Sequence, residues 1–410
     1  MRNKMKSSGI EWVGDIPSDW DVKPVKYILE SNQKTLSETT KKDYIFRYID
    51  IGSVDFDKGI TNYEEMNFEN APSRARRIVK KGDTIISTVR TYLKAIARIK
   101  EDKDIIVSTG FAVLSPKSNE SGFIEYYCKS DIFCSEIEKL SYGIAYPAIN
   151  ESVLVNIKMI LPPPAEQKAI AAFLDTQCDK IYNIITDLEQ QIEILKQYKT
   201  SLITEIVTKG LNKDAPMKDS GIDWIEKIPA HWEVMKLKYI IELKSGDGLT
   251  NDLLSDDDVL YPVFGGGGQM GYYMKSNVTS NNILIGRVGA NCGCITKITR
   301  KSWATDNALI VSSKVNLNYL YYILLTTDLN NMSEKNAQPL IIASKVLNYR
   351  IPFSSDVQTQ KTIAAFLDGK CKEISDIITE KHQSIDAMKA YKKSLIYEYV
   401  TGKKRVKGYS

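Results

Sequence analysis

The chain has 410 residues, a formal net charge of +4, 43% hydrophobic and 26% charged residues. That length is enough for two or three domains, each with a core, and so small a net charge leaves the distribution of charge, not its total, to speak for a nucleic-acid partner. The six cysteines show no framework spacing, His231 and His382 stand away from any cysteine pair, and no run approaches the ~18 apolar residues of a membrane span. A disulfide scaffold, a structural zinc site and a membrane protein are therefore not expected; a cytoplasmic chain with reduced thiols is.

From the N-terminus, "SGIEWVGDIPSDWDVKPVKYI" (residues 8–28) returns as "SGIDWIEKIPAHWEVMKLKYI" (residues 220–240), with eleven of the 21 positions identical. Internal repeats are read first, because missing one misassigns the fold. The first variable region follows, about residues 30–161. In it "YIFRYIDIG", "GDTIISTV", "KAIARI" and "DIIVSTGFAVLSP" predict strands, and "GFIEYYCKSDIFCSEIEKL" predicts a helix. "PPPAEQ" (162–167) stops the preceding strand and suits a helix start.

A second repeat begins there. "QKAIAAFLDTQCDKIYNIITDLEQQIEILKQYKTSLITEIVT" (167–208) returns without a gap at 360–401, with 24 identities in 42 positions. Its apolar residues step by four and three, which is a heptad seam: Leu174, Cys178, Ile181, Ile185, Leu188, Ile192 and Leu195, then Leu202 and Ile206, interrupted by Lys199. The second copy has Leu367, Cys371, Ile374, Ile378, Ile385, Met388 and Leu395, interrupted by Lys381 and Lys392. Two such helices in one chain, of one register and length, are expected to bury the seam against each other in an antiparallel coiled coil; the plainer alternative is a coiled coil with a second copy of the protein. Between the helices, "YPVFGG", "NNILIGRVG", "GCITKIT" and "NALIVSS" predict strands and "NLNYLYYILLTT" a helix.

The expected fold is α+β: two mixed α/β domains separated by two long helices, in a pseudo-two-fold repeat. Its parts are a domain at 1–161, a spacer helix at 162–210, a second domain at 211–353, a second spacer helix at 354–402 and a basic tail at 403–410. The inserts barely resemble each other, so the repeat is a frame for two different ligands of one class.

Catalytic motifs are few. "GGGQMG" (266–271) fits G-x-G-x-x-G but is followed by a poor helix, so it reads as a glycine turn that lets backbone come close. There is no P-loop motif, and two isolated histidines give a Ser/His/Asp or Cys/His arrangement little to build on. No catalytic site and no metal site are expected. Basic residues say more. "SRARRIVKKG" groups Arg74, Arg76, Arg77, Lys80 and Lys81, and "VRTYLK" adds Arg90, Tyr92 and Lys94. In the second region Gln269 lies in the glycine loop, and Arg287 and Asn291 lie in "IGRVGANCG". Arginine contacts phosphate or guanine, and Asn or Gln pairs with adenine, so these eleven residues are the candidate DNA-binding set; for each alone, a solvated surface side chain is the plainer reading.

"SGIEWVGDIPSDWDV", "STGFAVLSP", "AYPAINESVL" and "PPPAEQKAIAAFLD", with "YPVFGGGGQMGYY", "ILIGRVGANCG" and "WATDNALIV" in the second half, resemble the specificity subunit of type I restriction–modification systems over nearly the whole chain. The resemblance implies two target-recognition domains, each reading one half of a split, asymmetric site in double-stranded DNA. It implies that the spacer helices dock two methyltransferase subunits, which carry S-adenosylmethionine, and that motor-nuclease subunits join the complex. No cofactor is expected on this chain. "PFSSDVQTQ" departs from the pattern, since the second helix lacks the Pro-rich start. Two alternatives stand beside this: a non-catalytic coiled-coil scaffold for other proteins, and the specificity partner of a related system with fused nuclease and methyltransferase.

Overall fold

The computed structural model describes residues 4–101, 103–289, 291–332 and 339–409. Two helices dominate it, Pro164–Lys209 and Val357–Val400. Proline stands only at the first position of the first helix, where a missing N–H costs nothing, and the second begins without one. The chain divides into two compact units, residues 1–188 with 383–410, and residues 189–382. Each unit thus contains the first part of one long helix and the last part of the other.

Within the first unit, Leu174, Cys178 and Ile181 share a core with Leu395, Ile396 and Val400, and Ile185 and Met388 pack on it. The Phe173 and Tyr399 rings lie 4.5 Å apart, while Lys392 acts electrostatically on Cys178 five residues on, so the two segments run antiparallel. Within the second unit, Leu202, Ile203, Ile206 and Val207 share a core with Ile363, Ala364, Leu367 and Cys371. There Lys199 Nζ donates to Ser375 Oγ at 2.8 Å and Lys381 Nζ to Gln191 Oε1 at 2.6 Å, again an antiparallel order. Ile192, Ile374 and Ile385 are buried, and Leu188, Leu195 and Ile378 half-buried. The lysines that interrupt the heptads each have an acceptor: Lys392 reaches Asp57 at 3.0 Å.

The "QKxIAAFLD" stretch fastens each variable region to its helix in the same way. Gln167 Nε2 donates to the Pro162 carbonyl at 2.9 Å and Gln167 Oε1 accepts from Glu120 N at 3.0 Å. Gln360 makes the matching bonds to the Ser354 carbonyl (2.8 Å) and from Asn316 N (3.2 Å). Ile170, Ala171 and Leu174 enter the first core, and next to Leu174 Asp175 accepts from Tyr126 OH at 2.8 Å; Asp368 accepts from Tyr322 OH at 2.8 Å. Burial and these carboxylates push both phenols well above the usual tyrosine range.

The Trp-containing repeat closes the same joint. Trp20 and Trp232 are fully buried. The long helices end on Gly210 and Gly402 at φ of +74° and +72°, the left-handed cap that glycine adopts without cost. A Cβ on Gly210 would lie 3.3 Å from Trp232 Cζ2, and one on Gly402 would collide with Pro17.

The variable regions share one plan. In the first unit a four-stranded sheet runs Ile96–Arg98, Thr84–Ser87, Phe111–Pro116, Leu29–Ser31; in the second it runs Ile295–Ile298, Asn282–Gly286, Ala308–Ser313, Ile241–Ser245. A second sheet pairs Ile45–Ile49 parallel with Ile105–Ser108, and its counterpart pairs Tyr261–Gly265 parallel with Trp303–Ala304. Two predicted elements are broken. "DIIVSTGFAVLSP" forms two strands in different sheets, parted at Thr109–Gly110. The helix over 122–140 is two, Ser121–Lys129 and Asp131–Leu140; Ser130 is extended, and its hydroxyl donates to the Tyr127 carbonyl at 2.6 Å, which satisfies the end of the first.

The basic tail is docked on the first unit. Arg405 donates to both oxygens of the fully buried Glu166 (Nε at 2.8 Å, Nη2 at 2.6 Å) and to Asp19 at 2.8 Å, and Trp20 Nε1 donates to Glu166 at 2.9 Å. Lys403 Nζ donates to the Val13 and Asp15 carbonyls.

Two outcomes follow for stability. Leu174→Ala and Leu367→Ala, both from fully buried positions, should each cost about 2–5 kcal/mol in urea unfolding of the full chain, and a loss below 1 kcal/mol would refute the seam packing described. Arg405→Ala strands the Glu166 carboxylate in a dry site and should cost about 3–5 kcal/mol, much of it regained when Glu166→Gln is added.

Candidate nucleic-acid interface

Each unit places part of its candidate set (Arg90, Tyr92 and Lys94 in the first, Arg287 and Asn291 in the second) in the loop that follows the second strand of its four-stranded sheet. In the first unit this is residues 88–94. Thr88 N donates to the Gly110 carbonyl (2.8 Å), Ile149 N to the Thr88 carbonyl (2.8 Å) and Thr91 N to the Pro147 carbonyl (3.3 Å), so the loop is sewn to residues 141–149. Arg90 and Lys94 flank a short 3₁₀ turn, Thr91–Leu93, and both take the left-handed conformation, with φ of 52° and 47°. Such backbone costs a non-glycine residue about 1–3 kcal/mol and persists where the surroundings impose it, commonly at functional sites.

The exposed Arg90 guanidinium lies 5.1 Å over the Tyr146 ring, and Tyr92 is exposed beside it. Arg74, also exposed, joins the same edge: its carbonyl accepts from Thr109 N, next to the Gly110 that holds Thr88. Arg76 is half-buried, stacked 4.9 Å over Phe68 and bonded to the Ala75 carbonyl. Arg77 is half-buried; burial pulls its guanidinium below the usual range, the Glu151 charge opposes this, and among the described residues nothing accepts from its Nε.

The rest of the cluster goes elsewhere. Lys80 and Lys81 lie in the turn that Asp83 caps, at the opposite end of the strand Thr84–Ser87, about 13 Å away at 3.3 Å per residue. Lys94 is ion-paired with Glu138 at 3.0 Å, which offsets the pull of burial and holds its ammonium above the usual range.

In the second unit the corresponding loop holds residues 287–289 and 291–294. Arg287 N donates to the Asn307 carbonyl (2.9 Å) and Ile341 N to the Arg287 carbonyl (2.9 Å), matching the two bonds of Thr88, and Gly289 N donates to the Pro339 carbonyl (3.0 Å), one position earlier in the loop than Thr91. The glycine turn is pressed against this loop. A Cβ on Gly266 would collide with the Val288 carbonyl, and one on Gly267 would lie 3.3 Å from Asn291 Nδ2. The turn thus serves close backbone approach, with no helix after it, only the strand Gly268–Tyr273. Gln269 and Asn291 are exposed and Arg287 half-buried; Gln269 lies in the strand that follows the glycine turn, beside the loop that carries the other two.

Sequence reasoning missed the partner loop of the first unit. Tyr142, Ile144 and Tyr146 are exposed there, as is Leu93 in the adjoining 88–94 loop. Apolar side chains read as core until a fold leaves them out; the available signal was a glycine and a proline, Gly143 and Pro147, bracketing three residues.

This placement can be set beside known proteins. Residues 17–197 and 229–387 match the family described as type I restriction modification DNA specificity domain. The type I restriction enzyme MjaVIII specificity subunit of Methanocaldococcus jannaschii is 25% identical, over 67% of this chain and 68% of its own. The putative MjaX specificity subunit of the same organism is 26% identical over 96% of both chains. A solved chain from work on assembly and conformational transition of the type I R-M system superposes with a TM-score of 0.77 at 19% identity, covering 94% of this chain and 99% of that one. The HsdS subunit of Thermoanaerobacter tengcongensis gives 0.52 at 20%, covering 94% and 98%. With both matched ranges spanning the two units, the chain belongs to the type I restriction modification DNA specificity family.

Proposed function

We propose that this chain is the DNA-reading specificity subunit of a type I restriction–modification complex, each unit reading one half of a split, asymmetric site. One observation carries the reading. Two units of one topology present different residues at the same loop: Thr88, Arg90 and Tyr92 in one, Arg287, Gly289 and Asn291 in the other, around a valine common to both (Val89, Val288). A common frame with unlike contacts is what two unlike half-sites require. Arg90 and Arg74 offer cation to phosphate or guanine, and Gln269 and Asn291 offer the paired donor and acceptor that fit adenine.

The chain supplies recognition and no catalytic group. Methylation chemistry, with its S-adenosylmethionine, belongs to two methyltransferase subunits, and motor-nuclease subunits join through them. Two identical partners need two like surfaces, and the repeat leaves such a pair in water: Trp12 and Trp224 are exposed, as are Tyr27 and Tyr239, each tyrosine with Lys26 or Lys238 at 5.3 Å over its ring. Identical residues that do no core work in either unit point to a shared outside contact.

In the assembled complex, Arg90→Ala should relax or weaken reading of one half-site alone, and Gln269→Ala and Asn291→Ala the other, by about 1–3 kcal/mol for a base contact; a phosphate contact would weaken cognate and scrambled duplexes alike and lower the salt slope. Mapping methylated adenines and titrating both duplexes decides this, and no change for any of the three would refute the assignment. Trp12→Ala with Trp224→Ala should reduce co-purification of the methyltransferase subunit while the melting temperature stays within a few degrees; full assembly would show that these surfaces are not the contact.

A further inference from the structure

The first unit carries an apolar tip that its candidate interface does not yet explain. Tyr142 and Ala148 exchange two backbone hydrogen bonds of 2.9 Å and close a five-residue loop. Ile144 in that loop is fully exposed, with Tyr146 at 65%, Tyr142 at 60%, Tyr92 at 54% and Leu93 at 43% around it. Single exposed apolar residues are ordinary; five on two adjoining loops mark a contact surface.

The tip is also held in shape. Thr91 and Ser141 hydroxyls meet at 2.9 Å, Tyr142 OH donates to Asn150 at 3.1 Å, and Arg90 stacks on Tyr146. An isoleucine has no group to hydrogen-bond a base edge. What it can do against a duplex is fill apolar space, either beside a thymine methyl or between two base pairs. A rigid, fully projecting aliphatic side chain with apolar shoulders and a cation beside it matches the second better. The cation meets the flanking phosphate, and the fixed loop spends no ordering entropy on unstacking.

We propose that Ile144 is a wedge: it enters a base-pair step of the first unit's half-site and unstacks it, with Leu93 and Tyr146 covering the opened faces and Arg90 on the adjacent backbone. The inference rests on the DNA-reading assignment above, and its occupant is duplex DNA.

The test uses the full chain assembled with its methyltransferase subunits and cognate duplexes carrying 2-aminopurine at successive positions. The wild-type complex should raise fluorescence at one step of that half-site. Ile144→Ala should abolish the rise, bind the intact cognate duplex about tenfold or more weakly, and recover when a mismatch already weakens that step. Ile144→Leu should keep both the signal and the affinity.

Several results would overturn the wedge. They are a rise that survives Ile144→Ala, an equal loss on intact and mismatched duplexes, a loss reproduced by replacing thymine with uracil, or a variant that no longer assembles. A wild-type complex that prefers its site yet shows no rise overturns the wedge alone. One with no preference over scrambled duplex overturns the DNA-reading assignment itself.

Discussion

Each long helix carries a long apolar stripe, over 174–206 in the first and 367–395 in the second, and water will not tolerate such a stripe left open. Full burial of a Leu or Ile contributes about 1.5–3 kcal/mol, so the positions from Leu174 to Ile206 and from Leu367 to Leu395 outweigh any local preference of the inserts. The stripe is shared out: Leu174, Cys178 and Ile181 finish one core, Ile203, Ile206 and Val207 the other. Each recognition domain is therefore built onto helix, not merely tethered to it. The bonds that Gln167 and Asp175, and likewise Gln360 and Asp368, each make to the domain show how closely the first helical turns and the domain helix must match. That demand is met in the same way twice, and this stretch repeats at every position but one, Ala169 against Thr362, while the inserts do not.

The same economy governs the loops. Strand order, the parallel pair in the second sheet and the backbone bonds at Thr88 and Arg287 are common to both units, so they constrain main chain and leave side chains free to differ. In the second unit the approach is so close that a side chain at Gly266 would meet the Val288 carbonyl. In the first, strain at Arg90 and Lys94 sets the loop instead. Two local solutions hold one loop position.

The helices were legible because a heptad is a property of sequence alone, and the lysines that break it turned out to have partners: Asp57, Ser375 and Gln191. The inserts were less so. "SRARRIVKKG" reads as one patch, yet a strand extends it until Arg74 and Lys81 stand at opposite ends of a sheet. Lys94 reads as a free cation because Glu138, its partner, lies 44 residues on. The common plan of the two inserts is carried by strand order and hydrogen bonds, which unlike side chains can both satisfy, so comparing residues could not reveal it. The tail reads as basic and free because Glu166 and Asp19 approach it only in the fold.

That tail completes the symmetry of construction. The second unit has its Trp232 covered by the end of the first long helix, which directly precedes it in the chain. In the first unit Trp20 is covered instead by the end of the second long helix, at Gly402. Glu166 then ties Trp20 to Arg405, so that residues near position 20, position 166 and position 405 share one buried charge cluster. A buried carboxylate is tolerated only with its donors in place. The first unit is accordingly complete only when the last residues of the chain have docked, whereas every segment of the second unit lies in one continuous stretch, 189–382. From equal architecture comes unequal folding logic: the second unit closes local contacts, and the first must bring together ends nearly 400 residues apart before its tryptophan is dry.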